Sequence, residues 1–358
     1  MEKLSLLYED IWREEEIYDS PAEFILGEEL QQLEQGLAAW VGAEHCTAVS
    51  DPVSGIALAL KAAGVQKGDR VICPALGCAL PVQGVLLAGG VPIFADINMA
   101  TYTIDPFRLE YTLGQLRREG EPTPTALIAT DLFGGPCHLS ELEQICESRG
   151  IAFIEDISGA FGAGYFGRRV GGFARFSVAS FTASGPLDEP GGGAVFCRDE
   201  EDAARVEALR RRCRQQSSRP QSRIPYMGSA DVTLTRTRLE SFEQEQAGRQ
   251  KAAKRYHANL AEKVRLQHLV KGGESVYSQM VVALPGQRRP QVIQHLLKLG
   301  IPCGPPACGL QTHAGHDSRN PLTNASILAG RLLSLPIYSH LNVKLVDFIC
   351  EGLLEALA

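Results

Sequence analysis

The chain has 358 residues, 44% of them hydrophobic and 22% charged, with 36 glycines, 20 prolines and a formal net charge of −7. This is ordinary globular usage, which excludes a disordered chain, a collagen-like fibre and a small disulfide scaffold. The acidic balance argues against a dedicated nucleic-acid binder, and a length of this size predicts about two domains.

Residues 1–20 are acidic and amphipathic and carry no apolar core or cleavage site of a secretory signal. No apolar stretch is long enough to span a membrane. The 10 cysteines are scattered singly, without C-x-x-C or a histidine at zinc-ligand spacing. The expectation is a cytoplasmic protein with buried, reduced thiols, no metal and no membrane attachment.

From residue 28 to about 215, helical and strand-like segments alternate. Helices are predicted at about 28–41, 54–63, 80–88, 106–118, 139–149 and 200–216. Strands are predicted at 47–49, 70–73, 92–95, 126–129, 152–154 and 194–197. This spacing argues for an α/β domain, 1–215, whose mostly parallel mixed sheet is covered on both faces by helices. Its apolar runs lack alternation, as strands buried on both faces should. Residues 216–358 read as a smaller α+β C-terminal domain. They begin with a Ser/Pro/Arg-rich loop at 217–229 and a long helix over about 234–264. A strand follows at 275–282, then a helix at 290–299, a Cys/Gly/Pro/His loop at 302–317, a helix around 322–333 and a closing helix from Val343.

Several short segments, in order, carry a family pattern: Lys61 to Ile72, Gly90 to Ile97, Thr101 to Pro106, Phe133-Gly134-Gly135-Pro136, Ile154-Glu155-Asp156 leading to Gly162-Ala163, and Leu333 to Ile337. On these the chain resembles the DegT–DnrJ–StrS family of fold type I aminotransferases, which transfer an amino group to keto-sugar nucleotides with pyridoxal phosphate. The resemblance implies a PLP-transferase fold, a dimer with the site at the subunit interface, and a place in polysaccharide biosynthesis.

By that resemblance, Asp156 is the carboxylate that pairs with the cofactor's ring nitrogen, and Ser180 is a hydroxyl that contacts its phosphate. Each also has a plain reading, as a turn-capping Asp and as a strand-end Ser. The remaining positions depart from the pattern. Gly185 stands where the family has its Schiff-base lysine, and no lysine occurs anywhere from 68 to 250. Asp51-Pro52-Val53 replaces the family's Ser-Gly-Thr at the phosphate-binding helix start. There Pro52 removes a donor, and Asp51 brings negative charge, which reads equally as a helix cap. The stacking aromatic falls at Cys78. A family Gln and His become Gly159 and Phe161. An Asn and Arg become Ile224 and Tyr226, and a His-Tyr pair becomes Pro306-Ala307.

Three other clusters are structural on balance. Gly191 to Gly193 lacks the spacing of a phosphate loop and reads as a tight turn. His313 and His316 lack a third metal ligand nearby. Arg210 to Arg212 reads as an exposed helix face, with a site for an acidic partner or nucleotide phosphates as the sharper alternative.

The expectation is thus a sugar-aminotransferase homologue with no catalytic residue assigned and no bound cofactor. It would act as a binding or partner subunit, as a homodimer or beside an active paralogue, with a nucleotide sugar as ligand. The competing expectation is an enzyme that works without an internal aldimine, with PLP or PMP held by Asp156 and Ser180.

Overall fold

The structure, a computed structural model, describes residues 27–181, 186, 191–215, 227–311 and 322–358. In chain order the first half comprises α1 (Gly27–Val41), β1 (His45–Val49), α2 (Pro52–Ala62), β2 (Arg70–Pro74), β3 (Leu76–Gly77), α3 (Leu80–Leu87), β4 (Val91–Ala95), α4 (Pro106–Arg118), β5 (Ala126–Thr130), α5 (Leu139–Glu147) and β6 (Ala152–Asp156). A small hairpin, β7 (Gly164–Tyr165) and β8 (Arg168–Arg169), precedes β9 (Phe176–Ser180), β10 (Gly193–Cys197) and α6 (Glu200–Gln215). The rest comprises α7 (Ser229–Leu260), β11 (Arg265–Leu266), β12 (Gly273–Glu274), β13 (Met280–Ala283), α8 (Arg289–Lys298), β14 (Gly309–Leu310), α9 (Thr323–Ala329), β15 (Leu332–Leu335) and α10 (Val343–Leu357).

Seven strands form the central sheet in the order β1-β10-β9-β6-β5-β2-β4, and only β10 runs against its neighbours. Along β5, Ala126 and Ile128 enter one apolar layer while Leu127 and Ala129 enter the other. That split explains an apolar run without alternation: both faces of the sheet are covered. A separate core lies around the three-stranded sheet β11-β13-β15, where Val282 and Leu333 meet Val292 of α8 and Val346 and Leu353 of α10.

Helix α7 links the two regions. Its 32 residues span about 48 Å at 1.5 Å per residue. Phe242 sits in a core of the large sheet, whereas Tyr256 and Leu260 sit in the small one. Tyr256 donates its hydroxyl to Pro336 O at 2.8 Å. Gly248, in mid-helix, is where the chain at Ser339 crosses: an added Cβ would lie 1.7 Å from Ser339 O. A glycine there forgoes about 1 kcal/mol of helix propensity for a backbone contact that no side chain permits.

Two expectations need correction. The strand foreseen at 275–282 exists only from Met280. Its first half bonds to loops instead: Val276 N donates to Gly134 O at 2.9 Å, and Ser278 Oγ donates to Gly159 O at 2.6 Å. The helix foreseen around 322–333 stops at Ala329, because Leu332 and Leu333 pair with Ala283 and Val282 as β15. The Arg210 to Arg212 reading also changes. Arg210 is 4% exposed, donates to Ala48 O at 2.7 Å, and pairs with Glu34 at 3.0 Å and Glu207 at 2.5 Å. It anchors α6 to α1 and β1 rather than facing solvent. Arg211 pairs with Glu207 at 2.8 Å, and the side chain of Arg212 lies outside the described residues. Among the described residues, no helix is long and apolar enough to cross a membrane.

Candidate functional site

Ligands of an open α/β sheet bind beyond the carboxyl ends of its parallel strands. Here β5 ends at Thr130 and β6 at Asp156, and these two residues are direct partners in the parallel pair. The chain continues from Thr130 into Asp131, whose N–H donates to Asp156 O at 2.9 Å. Two carboxylates therefore stand at adjacent strand ends, and both are 0% exposed.

A cavity of about 40 Å³ opens over them, lined also by Cys78, Ser158, Ser180, Gln279 and Cys308. Asp156 is held by Thr130 Oγ1 at 3.3 Å and by Ser158 N at 3.1 Å. Burial pushes its carboxyl above the usual range, and these hydrogen bonds only partly offset that. Asp131 Oδ1 accepts from Cys137 N at 2.8 Å, while the Cys137 thiol donates to Thr130 O at 3.1 Å. Oδ2 of Asp131 has no hydrogen-bond partner. Burial, reinforced by the Glu155 charge, pushes the Asp131 carboxyl well up.

Glu155 itself points to the other side of the sheet position. Its Oε2 accepts from Gly171 N and Ser177 Oγ, both at 3.1 Å, and burial raises it to about 7. It braces the loop after β8 and does not line the cavity.

The two resemblance-derived residues, Asp156 and Ser180, share the cavity wall. Phe133, also on the wall, adopts φ 61°, a left-handed conformation that a bulky residue seldom takes. It turns the chain sharply off β5 into Gly134, where an added Cβ would lie 2.5 Å from Tyr277 N. That contact explains why the motif carries glycine there.

The start of α2 is closed by its own sequence. Asp51 is the N-cap in extended conformation, with Pro52 in the first turn. Its Oδ1 accepts from Ser54 N at 2.9 Å, and its Oδ2 accepts from Ser54 Oγ at 2.7 Å and Ser50 Oγ at 3.2 Å. Pro52 is buried, and a Cβ on Gly193 would meet its Cα at 3.4 Å and Ala179 O at 2.7 Å. The turn at Gly191 to Gly193 is thus a packing device, with Gly192 at φ 92°.

These residues do not fit pyridoxal phosphate. The helix N-terminus that would receive the dianion already binds a carboxylate from its own cap. Among the described residues no lysine lines the cavity. A side chain at Gly159 would begin 2.7 Å from Asp131 O, which leaves no place for the family's Gln. Phe161 is core, stacked on Trp40 at 4.6 Å. The cavity also has about the room of a water-sized group or two, less than a substituted pyridine ring needs. Gly185, Ile224 and Tyr226 lie outside the described residues, as do His313 and His316. Ala307 lines the cavity with an apolar side chain.

Sequence reasoning missed Asp131, Gln279 and Cys308. Asp131 follows an apolar strand just as Asp156 does, and that was its one visible signal. Cys308 continues the register in which Gly309 pairs with Gly77, and so faces Cys78. Burial pushes each thiol up to about 12, which marks them as unreactive. Of the described cysteines, Cys73, Cys137, Cys146, Cys197 and Cys350 are buried, whereas Cys46, Cys78, Cys303 and Cys308 are half-buried. Among the described residues no group of three or more ligands could hold a metal ion.

The comparisons with known proteins agree with the fold. The profile of the DegT/DnrJ/EryC1/StrS aminotransferase family matches residues 10–354. UDP-2-acetamido-2-deoxy-3-oxo-D-glucuronate aminotransferase of Pseudomonas aeruginosa is 30% identical over 340 residues, 92% of this chain and 91% of the relative. dTDP-3-amino-3,4,6-trideoxy-alpha-D-glucose transaminase of Micromonospora megalomicea is 27% identical over 350 residues, 93% of this chain and 91% of the relative. A DegT DnrJ EryC1 StrS aminotransferase structure from Brucella abortus superposes with TM-score 0.82 at 24% identity, covering 99% of this chain and 95% of that one. The sheet order, the strand-end site and a profile match over nearly the whole length together place this chain in the DegT/DnrJ/EryC1/StrS aminotransferase family.

Proposed function

We propose that this chain is a family member that does not transaminate and serves as a binding or partner subunit, as a homodimer or beside an active paralogue. Amino transfer in the family needs a lysine amine that forms a Schiff base and moves protons. The observation that carries the reading is the closed phosphate cup: Asp51 bonds to Ser54 N, the donor an incoming phosphate would need. Gly185 and the absence of lysine from 68 to 250 support it independently. The relatives' names make a nucleotide sugar the natural ligand for the retained cleft. Asp156 and Ser180 would then act as binding groups rather than catalytic ones.

A second reading is favoured by one observation, that Asp156 and Ser180 still share a cavity wall. In it, PLP or PMP is held without a covalent link. Asp156 would accept the ring N–H and Ser180 would donate to the phosphate. The bound group would supply an electron sink. The absorbance spectrum of the purified protein incubated with PLP or PMP decides between them. A colourless protein whose melting temperature ignores both compounds supports the partner-subunit reading. Stable, stoichiometric cofactor absorption overturns it, as does borohydride capture of a covalent adduct on an internal lysine.

A further inference from the structure

The cavity at the strand ends has the wrong charge for an anionic ligand. Asp131 and Asp156 stand side by side, each 0% exposed, with Glu155 behind them. Among the described residues no Lys, Arg or His lines the cavity.

Buried carboxylates are normally paired or fully hydrogen-bonded, because an unpaired buried charge is costly. Asp156 is largely satisfied by Thr130 and Ser158 N. Asp131 is not: its Oδ2 is buried, is bonded to nothing and belongs to a cavity-lining side chain. Ser158 Oγ lies close enough to Asp156 to lower its carboxyl, yet completes no hydrogen bond. Two buried oxygens on cavity-lining side chains, Asp131 Oδ2 and Ser158 Oγ, thus have unused acceptor capacity, and no cationic group of the described residues stands among the walls to neutralise the carboxylates. Protonation of Asp131 relieves part of the repulsion between the carboxylates. It still leaves a net negative pocket with unused acceptor capacity.

We propose that this cavity is a cation-selective subsite that takes a protonated primary amine, with Asp131 Oδ2 and Ser158 Oγ accepting its N–H groups beside Asp156. An ammonium head supplies three donors for the unused acceptors and the positive charge that the described walls lack. The volume of about 40 Å³ admits such a head and leaves the body of a larger amine at the mouth. The proposal rests on the binding-subunit reading above and narrows it: this cavity receives an amino group of the ligand, and the phosphates of a nucleotide sugar would have to lie outside it. Asp131, which that reading did not use, becomes the residue that sets specificity.

The test is calorimetric titration of the whole protein with ethylammonium, and with ethanol and acetate as neutral and anionic probes of similar size. The expected result is saturable ethylammonium binding with Kd on the order of 1 mM, the range open to a three-heavy-atom ligand, and none for ethanol or acetate. Asp131→Asn should weaken that binding at least tenfold. Ser158→Ala, which removes one hydroxyl and keeps the backbone N–H to Asp156, should weaken it about threefold and stands in if Asp131→Asn folds poorly. Absence of saturable ethylammonium binding, equal binding of ethanol, or full affinity in both variants overturns the proposal. A parallel sample given PLP judges the binding-subunit reading separately, because cofactor absorption would sink that reading whatever the amine titration shows.

Discussion

Asp51→Ser isolates the electrostatic block at the start of α2. Serine caps a helix about as well as aspartate, so the loss is mainly the favourable charge–dipole contact, about 0.3–1 kcal/mol. Folding stability should therefore fall by less than about 1 kcal/mol by urea midpoint. Anion binding should change far more. An anion reaching the Ser54 amide, which Asp51 now holds at 2.9 Å, would come within about 4 Å of the carboxylate. At an effective dielectric of 20 each unit of negative charge there meets about 4 kcal/mol of repulsion. Asp51 is only half-buried, so solvent screening reduces that figure, and a tenfold gain in phosphate affinity, about 1.4 kcal/mol, is the floor. The assay is the shift in melting temperature with added inorganic phosphate, read against chloride at equal ionic strength. Wild type should not respond and Asp51→Ser should. Equal responses would show that charge at Asp51 is not what closes the cup. Adding Gly185→Lys alone, with Asp51 and Pro52 kept, should not yield an aldimine spectrum.

Gly248→Ala should destabilise the fold by about 3 kcal/mol or more despite alanine's better helix propensity, because the new Cβ would lie 1.7 Å from Ser339 O and the crossing chain must move; a urea midpoint equal to wild type would contradict it. Arg210→Met should cost about 3–5 kcal/mol by stranding Glu34, which burial already raises above its ordinary value while Arg210 opposes that rise. Adding Glu34→Gln should return part of that loss in a double-mutant cycle, and strictly additive losses would refute the pairing. Glu155 yields a pH prediction. Its folded value of about 7 lies above the ordinary 4.5, so the folded state keeps a proton that the unfolded chain has released. That contribution is present at low pH and is lost as pH rises from 4.5 through about 7, a change of about 3 kcal/mol. Denaturant midpoints at pH 5 and pH 8 should differ less in Glu155→Gln than in wild type, and an unchanged difference would rule the linkage out.

What the sequence by itself determined is the frame of the fold. Helices in the first half fall within two residues of their predicted ends, because local signals mark them: Asp51 with Pro52, Asp105 with Pro106, and the glycines after the last turns. The strand segments were legible because both faces are buried, which turns each into a short apolar run. The absence of lysine from 68 to 250 is a fact of the sequence alone, and the capping role of Asp51 followed from its neighbours. What only the tertiary structure decided depends on residues far apart in the chain. The segment 275–279 looks like a strand, but its partners are the loops at Gly134 and Gly159. Arg210 looks like a surface residue in its own helix, and becomes buried only because Glu34 and Ala48 O, over 160 residues away, converge on it. Asp131 gained meaning in the same way. A carboxylate after a strand is ordinary, and only the pairing of β5 with β6 sets it beside Asp156 in a cavity where no cation of the described residues offsets the charge. Local patterning encodes which element a residue joins, whereas the charge balance of a cavity is a property of strand order, which no local window contains.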